Sequence, residues 1–283
     1  MNILQKFKLK TKNRIANIGI GLGNIEGLNR TIVKTTVNFL KNNKSQIFFV
    51  SNKSTIGLIR KALPNNTSIH FIECTNPEKR VFELFDNKIF SSFIRGTFSS
   101  SKFLDNLKKY YSNTEINRLA LLETEKGFQF FFGPVGIDEC NNLNKKLIFV
   151  KLALQELESL KITPKISILS GGRESDLGRD DRVDKTMRDA NFIVETLKEQ
   201  HPGLSISHDE ILIENAVNRK SNLIIAPDGI SGNLIYRTLV HLGGGRAYGA
   251  IYMGLKNIII DTSRVGELSE IEGALLMALA LSG

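Results

Sequence analysis

The stretch DTSRVGELSEIEGA, near the C-terminus, combines residue types that can do chemistry. Ser263 and Arg264 follow a run of isoleucines that predicts a buried strand, and Glu270 lies six residues beyond the arginine. A guanidinium at a strand end can hold an anion, and a carboxylate can accept a proton. The alternative is a helix start with a capping box, in which Ser269 is the N-cap and Glu272 stands at N3. A capping box leaves Arg264 unexplained, because the helix dipole disfavours a cation there.

A glycine cluster, NIGIGLGN, lies between a predicted strand and a predicted helix. Gly19, Gly21 and Gly23 fit the G-x-G-x-G pattern of adenosylmethionine-dependent methyltransferases, but not the dinucleotide pattern G-x-G-x-x-G. Both cofactors require an acid at the end of the next strand, where this chain has Ser51 and Asn52. The other interpretation is a tight turn between strand and helix.

Three further loops place glycines, hydroxyl groups and charges between a strand and a helix: RGTFSSS, LSGGRESDLGRDDRVDKT and APDGISGN. Helix N-termini bind phosphate or carboxylate groups, and open α/β sheets bind ligands beyond the carboxyl ends of their strands. Helix caps and solvated ion pairs account for the same residues equally well. The candidate substrate-binding residues in these loops are Gly96, Thr97, Ser99, Ser170, Arg173, Asp228, Gly232 and Asn233.

Short apolar runs alternate with amphipathic segments, which predicts an α/β fold with helices on both faces of a mainly parallel sheet. The predicted strands are 14–20, 46–52, 68–73, 118–124, 128–133, 164–170, 222–228, 247–253 and 257–261. The predicted helices include 29–43, 78–87, 99–111, 143–160 and 180–200. Because about nine strands exceed a comfortable single open sheet, we expect two α/β lobes with a cleft between them.

The net charge of +9 is concentrated at one end of the chain. The first 60 residues carry eleven Lys/Arg and one acid, so the rest of the chain is nearly neutral. This indicates either a patch for an anionic partner or a solvated basic surface. No aromatic or arginine-rich pattern accompanies the lysines, so nucleic acid is not an expected partner.

The cysteine and histidine content predicts neither a disulfide framework nor a metal site. Two cysteines are too few for a framework, and the four histidines do not cluster. The N-terminal segment lacks a secretory cleavage pattern, and no stretch approaches the length of a membrane span. We therefore expect a cytoplasmic protein that does not associate with membranes.

Several motifs, in the same order along the chain, resemble the phosphate acyltransferase family of phosphotransacetylases and phosphotransbutyrylases. They are ILS…VDK, DEILIENA, APDGISGNLIY, AYGAIYMGL and IIDTSR, and they span roughly 165–283. RGTFSSS resembles a glycine–hydroxyl loop of the family's N-terminal half. The resemblance implies a three-layer α/β/α, two-lobed fold like that of isocitrate and isopropylmalate dehydrogenases, in a homodimer. Lobe I would comprise 1–136 and 262–283, lobe II would comprise 137–261, and the active site would lie in the cleft between the lobes.

By this resemblance Ser263 would bind the thiol of coenzyme A or a related cofactor, Arg264 would hold an anionic acyl phosphate, and Glu270 would be the base. Three positions depart from the family pattern: Glu270 replaces an aspartate, Val265 a glycine and His241 a second arginine that binds substrate. The loss of a bidentate phosphate ligand is not conservative.

The ending HLGGGRAYGAIYMGLKNIIIDTSRVGELSEIEGALL is more similar to a methanogen branch, the Mtx subunit X family, also called methanogenesis marker protein 4. That family carries a methyltransferase label. Three hypotheses follow: a transferase acting on a phosphorylated or thiol-bearing anion, a methyltransferase component of a corrinoid or pterin pathway that works with other methyltransferase subunits, or a non-catalytic accessory protein.

Overall fold

A computed structural model describes residues 1–63, 67–112, 114–263 and 267–282. The chain forms two compact units: unit 1 comprises Met1–Ile116 and Tyr248–Gly283, and unit 2 comprises Asn117–Ala247. The first unit is discontinuous. The strands at 117–123 and 129–133 lie in unit 2, and the strand at 258–261 lies in unit 1. The lobe boundaries expected at 136/137 and 261/262 stay a prediction.

The described part of the chain contains eleven strands and ten α-helices. The strands are β1 Asn17–Gly21, β2 Gln46–Ser51, β3 Ile69–Glu73, β4 Ser92–Ile94, β5 Asn117–Glu123, β6 Gln129–Gly133, β7 Lys165–Ile168, β8 Ser205–His208, β9 Leu223–Ile225, β10 Arg246–Met253 and β11 Ile258–Asp261. The helices are α1 Ile3–Thr11, α2 Glu26–Leu40, α3 Lys53–Ala62, α4 Pro77–Asp86, α5 Ser100–Tyr110, α6 Leu143–Ser159, α7 Asp181–Gln200, α8 Ile213–Asn218, α9 Gly229–His241 and α10 Leu268–Leu281.

All nine predicted strands are confirmed, and the sequence missed β4 and β8. These two strands have three and four residues, which is too short for a periodic pattern to emerge. The missed strand β4 matters for function, because it lies between β1 and β11 at the centre of the unit 1 sheet. The five predicted helices are also confirmed, as α2, α4, α5, α6 and α7.

In unit 1, strands β3, β2, β1, β4 and β11 pair in that order, all parallel, and β10 joins β11 antiparallel. In unit 2 the order is β5, β6, β9, β7 and β8, with only the β5–β6 pair antiparallel. The carboxyl ends of the five parallel strands of unit 1 therefore share one edge, which is where such sheets bind ligands.

The last helix, α10, is the most deeply buried helix of unit 1: ten of its fourteen residues are buried. It packs against α1 and α2, and Lys8 of α1 pairs with Glu272 at 3.2 Å. Helix α1 buries Ile3 and Phe7, so the basic N-terminal segment is in part a structural element with lysines on its outer face. No helix among the described residues is long and apolar enough to cross a bilayer.

Candidate active site

The carboxylate of Glu270 is bound through both oxygens by one residue, Ser263. The backbone N–H of Ser263 donates to Oε1 at 2.7 Å, and its hydroxyl donates to Oε2 at 2.6 Å. Glu270 lies in the first turn of α10 and is 4% exposed, whereas Ser263 follows β11 and is half-buried. The serine therefore lies between the buried carboxylate and the edge of the sheet.

The predicted capping box at the start of α10 is wrong. The helix begins at Leu268 with Glu267 as N-cap, and the Glu267 side chain makes no capping hydrogen bond. Glu270 therefore stands at N3, the position expected for Glu272. Glu270 takes this position because the two donors of Ser263 bind its carboxylate to the end of the strand. Glu272 instead pairs with Lys8.

The electrostatic environment makes Glu270 a proton acceptor suited to neutral pH. Burial raises the pKa of its carboxyl to about 7, against the lowering effect of the Ser263 hydrogen bonds. The carboxylate of Asp261 raises this pKa further, and the guanidinium of Arg95 lowers it. A carboxyl that titrates near neutrality is matched to general acid–base work.

A buried arginine does lie beside this pair, but it is Arg95, from the loop after β4. Its guanidinium donates to the Asp261 carboxylate, to the Thr262 carbonyl oxygen, and to the Phe98 carbonyl oxygen at 2.6 Å. The sequence analysis included the motif RGTFSSS but did not single out its arginine. The feature that could have identified Arg95 is a charged residue at the end of an apolar run. Arg264 and Val265 lie outside the described residues.

The loop after β4 also holds the predicted residues Gly96, Thr97 and Ser99. Gly96 has a φ of +59°, and a Cβ there would collide with the Gly21 carbonyl oxygen. The Thr97 hydroxyl accepts from the Gly23 N–H at 2.7 Å and donates to the Asn29 amide oxygen. Gly96 and Thr97 thus join this loop to the loop after β1. Ser99 is the N-cap of α5, with its hydroxyl 3.2 Å from that of Ser101.

The glycine cluster is tightly packed: Gly19 and Gly21 lie in β1, and Gly23 lies in the turn after it. A Cβ at Gly19 would meet the rings of Phe90 and Phe93, and a Cβ at Gly23 would collide with the Thr97 carbonyl oxygen. The space beside these glycines is filled by the chain itself, which favours the turn interpretation over an adenosylmethionine site.

A cavity of about 400 Å³ opens at the carboxyl edge of the unit 1 strands. Its polar lining from the loops that follow β1, β2, β3 and β4 includes Asn24, Asn52, Thr75, Thr97 and Ser99. Two charged side chains among the described residues also line it: Glu78 in the first turn of α4 and Lys102 in the first turn of α5. The cavity can therefore accept a polar group, with one carboxylate and one ammonium group beside it.

In unit 2, Ser170 belongs to a hydrogen-bonded chain. Its hydroxyl lies 2.8 Å from His208 Nε2, and His208 Nδ1 lies 2.8 Å from the Asn191 amide oxygen. The Ser170 hydroxyl also lies 3.1 Å from the Gly172 carbonyl oxygen, so its single proton has two acceptors within reach, this oxygen and Nε2 of a neutral ring protonated on Nδ1. Burial lowers the pKa of His208, which favours the neutral ring. Ser170 is only 1% exposed, while Arg173, three residues later, is exposed.

The other predicted residues of unit 2 shape the start and end of α9. Asp228 caps the helix by accepting from the Ser231 N–H at 2.8 Å, as the capping interpretation predicts. Gly232 packs against the Pro134 carbonyl oxygen, and Asn233 donates to the Val135 carbonyl oxygen at 2.8 Å. His241 is exposed in the last turn.

No group of three or more His, Cys, Asp or Glu side chains within the described ranges could hold a metal ion.

The fold is of the class seen in phosphotransacetylases. The chain is similar to the EutD phosphotransacetylase from Staphylococcus aureus, with a TM-score of 0.73 at 14% identity over 99% of this chain and 98% of that one. A phosphotransacetylase from Streptococcus pyogenes has a TM-score of 0.68 at 15% identity, with 99% of this chain and 98% of that one covered. A 4-hydroxythreonine-4-phosphate dehydrogenase from Klebsiella pneumoniae has a TM-score of 0.61 at 10% identity, with 94% of this chain and 98% of that one covered.

Within this class the chain belongs to the Mtx subunit X family. It is 42% identical over 238 residues to the "Putative methyltransferase mtx subunit X" of Methanosarcina mazei, covering 84% of this chain and 81% of that protein. It is 37% identical over 201 residues to the "Uncharacterized methyltransferase MJ1371" of Methanocaldococcus jannaschii, covering 67% and 78%. No protein-family model matches the chain. The resemblance found in the sequence motifs is thereby confirmed.

Proposed function

We propose that this protein is a transferase in which Glu270 exchanges a proton with a thiol-bearing acceptor, such as coenzyme A, during transfer of an acyl group to or from phosphate. The observation that carries the proposal is the buried Glu270 carboxylate, bound by both donors of Ser263 and titrating near pH 7. The phosphotransacetylase-like fold supports the choice of reaction class.

In the direction of thioester synthesis the acceptor thiol must lose its proton. A thiol has a pKa near about 8.5, and only its thiolate is a strong nucleophile. In our mechanism the thiol donates to the Ser263 hydroxyl, which passes its own proton to Glu270. The thiolate then attacks the acyl carbonyl, a carbon–sulfur bond forms, the carbon–oxygen bond to phosphate breaks, and phosphate leaves. In the reverse direction protonated Glu270 returns the proton to the departing thiolate.

The cavity at the carboxyl edge supports a polar substrate. It adjoins the loop after β4 through Thr97. That loop is hydrogen-bonded to the segment that carries Ser263, because the Thr262 hydroxyl donates to the Gly96 carbonyl oxygen at 3.2 Å. In our proposal Lys102 and the N–H groups at the start of α5 would bind an anionic group of the substrate, while Glu78 lines the same cavity with a carboxylate. Arg264 stays a predicted ligand of the acyl phosphate, from its position in the sequence alone.

The test is an assay of acyl-CoA with inorganic phosphate, read as release of free thiol. Acetyl-, propionyl-, butyryl- and branched-chain thioesters should be compared in the wild type and in the variants Glu270→Gln and Arg264→Ala. We expect turnover with one thioester class and loss in both variants. Absence of turnover with every thioester would refute acyl transfer as the reaction.

Methyl transfer to a thiol is the second candidate, favoured by the methyltransferase names of the relatives from Methanosarcina mazei and Methanocaldococcus jannaschii. It would require the same deprotonation of the thiol, with a methyl carbon in place of the acyl carbonyl as electrophile. Calorimetry with adenosylmethionine, a methylated pterin and a methylated corrinoid protein distinguishes the two reactions. If one of these donors binds while no thioester reacts, the transferred group is methyl. If neither class of ligand binds, and an Arg264→Ala/Glu270→Gln variant still functions in a methanogen host, the accessory role is correct.

A further inference from the structure

We propose that Arg95 is the positioning residue of the candidate site: it fixes the backbone of Asp261 and Thr262 so that Ser263 meets Glu270 with both of its donors. The proposal rests on the assignment of Glu270 as the proton acceptor. Nothing in the names of the relatives or in the motif pattern assigns a role to this arginine.

The first observation is how completely the guanidinium is engaged. Nε donates to the Asp261 carboxylate, one terminal nitrogen donates to the Thr262 carbonyl oxygen, and the other donates to the Phe98 carbonyl oxygen. The Arg95 side chain is 4% exposed, and that of Asp261 is 12% exposed. A buried cation without partners is costly, so these acceptors also determine where the guanidinium lies.

The second observation is that the other contacts of Arg95 join the same two chain segments. The Arg95 N–H donates to the Ile260 carbonyl oxygen at 2.9 Å, continuing the parallel ladder past the end of β4. The Asp261 carboxylate also accepts from the Thr262 N–H at 3.1 Å. Residues 260, 261 and 262 are therefore all held from the β4 side, and the next residue is Ser263.

The third observation is electrostatic. The Asp261 carboxylate raises the pKa of the Glu270 carboxyl, and the Arg95 guanidinium lowers it. Replacing Arg95 by a neutral residue would remove its positive charge from beside Glu270 and release the segment that carries Ser263. Both changes disfavour the ionised form of Glu270, so they act in the same direction.

The experiment measures the protonation of Glu270 directly, without substrate. The carbonyl stretch of its buried carboxyl is identified by infrared difference spectroscopy as the band lost in Glu270→Gln, and the band is titrated in each variant. In Arg95→Met we expect the midpoint to rise by about one pH unit or more. Arg95→Lys, which keeps a charge but fewer donors, should recover part of the shift. The control is Arg60→Met, since Arg60 forms an exposed pair with Glu73 at 3.2 Å.

A folded Arg95→Met protein whose midpoint equals that of the wild type would overturn the proposal. Should Arg95→Met not fold, Arg95→Lys decides, because it keeps the positive charge but cannot reach all three acceptors of the guanidinium. An upward shift in that variant supports the positioning role, and a midpoint equal to that of the wild type refutes it. A shift in a protein that transfers no acyl group would refute the proposed function and leave the role of Arg95 intact.

Discussion

Ser263 and Glu270 form a two-point contact in which one serine supplies both donors to one carboxylate, at 2.7 and 2.6 Å. The contact joins the end of β11 to the first turn of α10. An internal carboxylate that only capped its own helix would bond to N–H groups of that helix. Glu270 instead bonds to a hydroxyl at the sheet edge, through which a proton would reach the carboxylate in the function we propose.

Replacing the base should abolish most of the activity without disturbing the fold. Glu270→Gln keeps the shape and can still accept from the Ser263 N–H, but it cannot take a proton. We expect kcat for acyl transfer to fall by about 10²–10⁴-fold, the range typical of general acid–base groups. The matched control is Glu267→Gln, which changes the exposed N-cap residue of the same helix and should leave kcat unchanged. Equal loss in both variants would contradict the assignment.

The pH dependence should reverse with the direction of the reaction. Thioester synthesis needs ionised Glu270, so kcat should rise with pH through an apparent pKa of about 7. Phosphorolysis of the thioester needs protonated Glu270, so kcat should fall through the same value. The measurement is initial rate against pH in both directions, with the residual activity of Glu270→Gln as control. If the rate changed with pH in the same sense in both reaction directions, Glu270 would be excluded as the group that titrates.

The raised pKa of Glu270 also makes a prediction about stability. Between pH 4.5, the ordinary value, and about 7, the folded protein holds a proton that the unfolded chain has released. The folded state therefore binds more protons, and the free energy of unfolding falls as pH rises through this window. Above pH 7 this shift in pKa lowers the free energy of unfolding by about 3 kcal/mol in total.

The measurement is denaturant unfolding of wild type and Glu270→Gln between pH 4 and pH 8.5. The variant should gain stability relative to wild type as pH rises, reaching a maximum difference above pH 7. The comparison must be between the two proteins, because burial also raises the pKa of Glu156 to about 7 and gives both the same background slope. A difference independent of pH would show that Glu270 ionises normally.

The sequence predicted the α/β fold and nine of the strands, and it singled out Ser263 and Glu270, which are hydrogen-bonded to each other in the structure. It could not predict Arg95 as a neighbour of Asp261, because that contact depends on the pairing of β4 with β11 across 166 positions of the chain. The three residues of β4 carry too little pattern to be recognised as a strand. Without that strand, the loop holding Arg95 and Gly96 has no position relative to Ser263.

The capping box failed for a related reason. Ser269 and Glu272 have the right spacing for an N-terminus, but local spacing cannot register a competing partner that lies before the helix. Ser263 is that partner, and its two donors shift the first turn so that Glu270 takes N3. Tertiary contacts therefore decided both the place where α10 starts and the chemical environment of its carboxylate.

The glycines after β1 provide a test that separates packing from cofactor binding. Gly23→Ala would place a methyl group against the Thr97 carbonyl oxygen, and we expect the free energy of unfolding to fall by about 1–3 kcal/mol from overpacking. Gly57→Ala is the control: it lies inside α3 with open space around the added Cβ. That change should stabilise by about 0.5–1 kcal/mol through backbone entropy. If Gly23→Ala keeps full stability and instead weakens binding of adenosylmethionine, these glycines are a cofactor site and the turn interpretation is wrong.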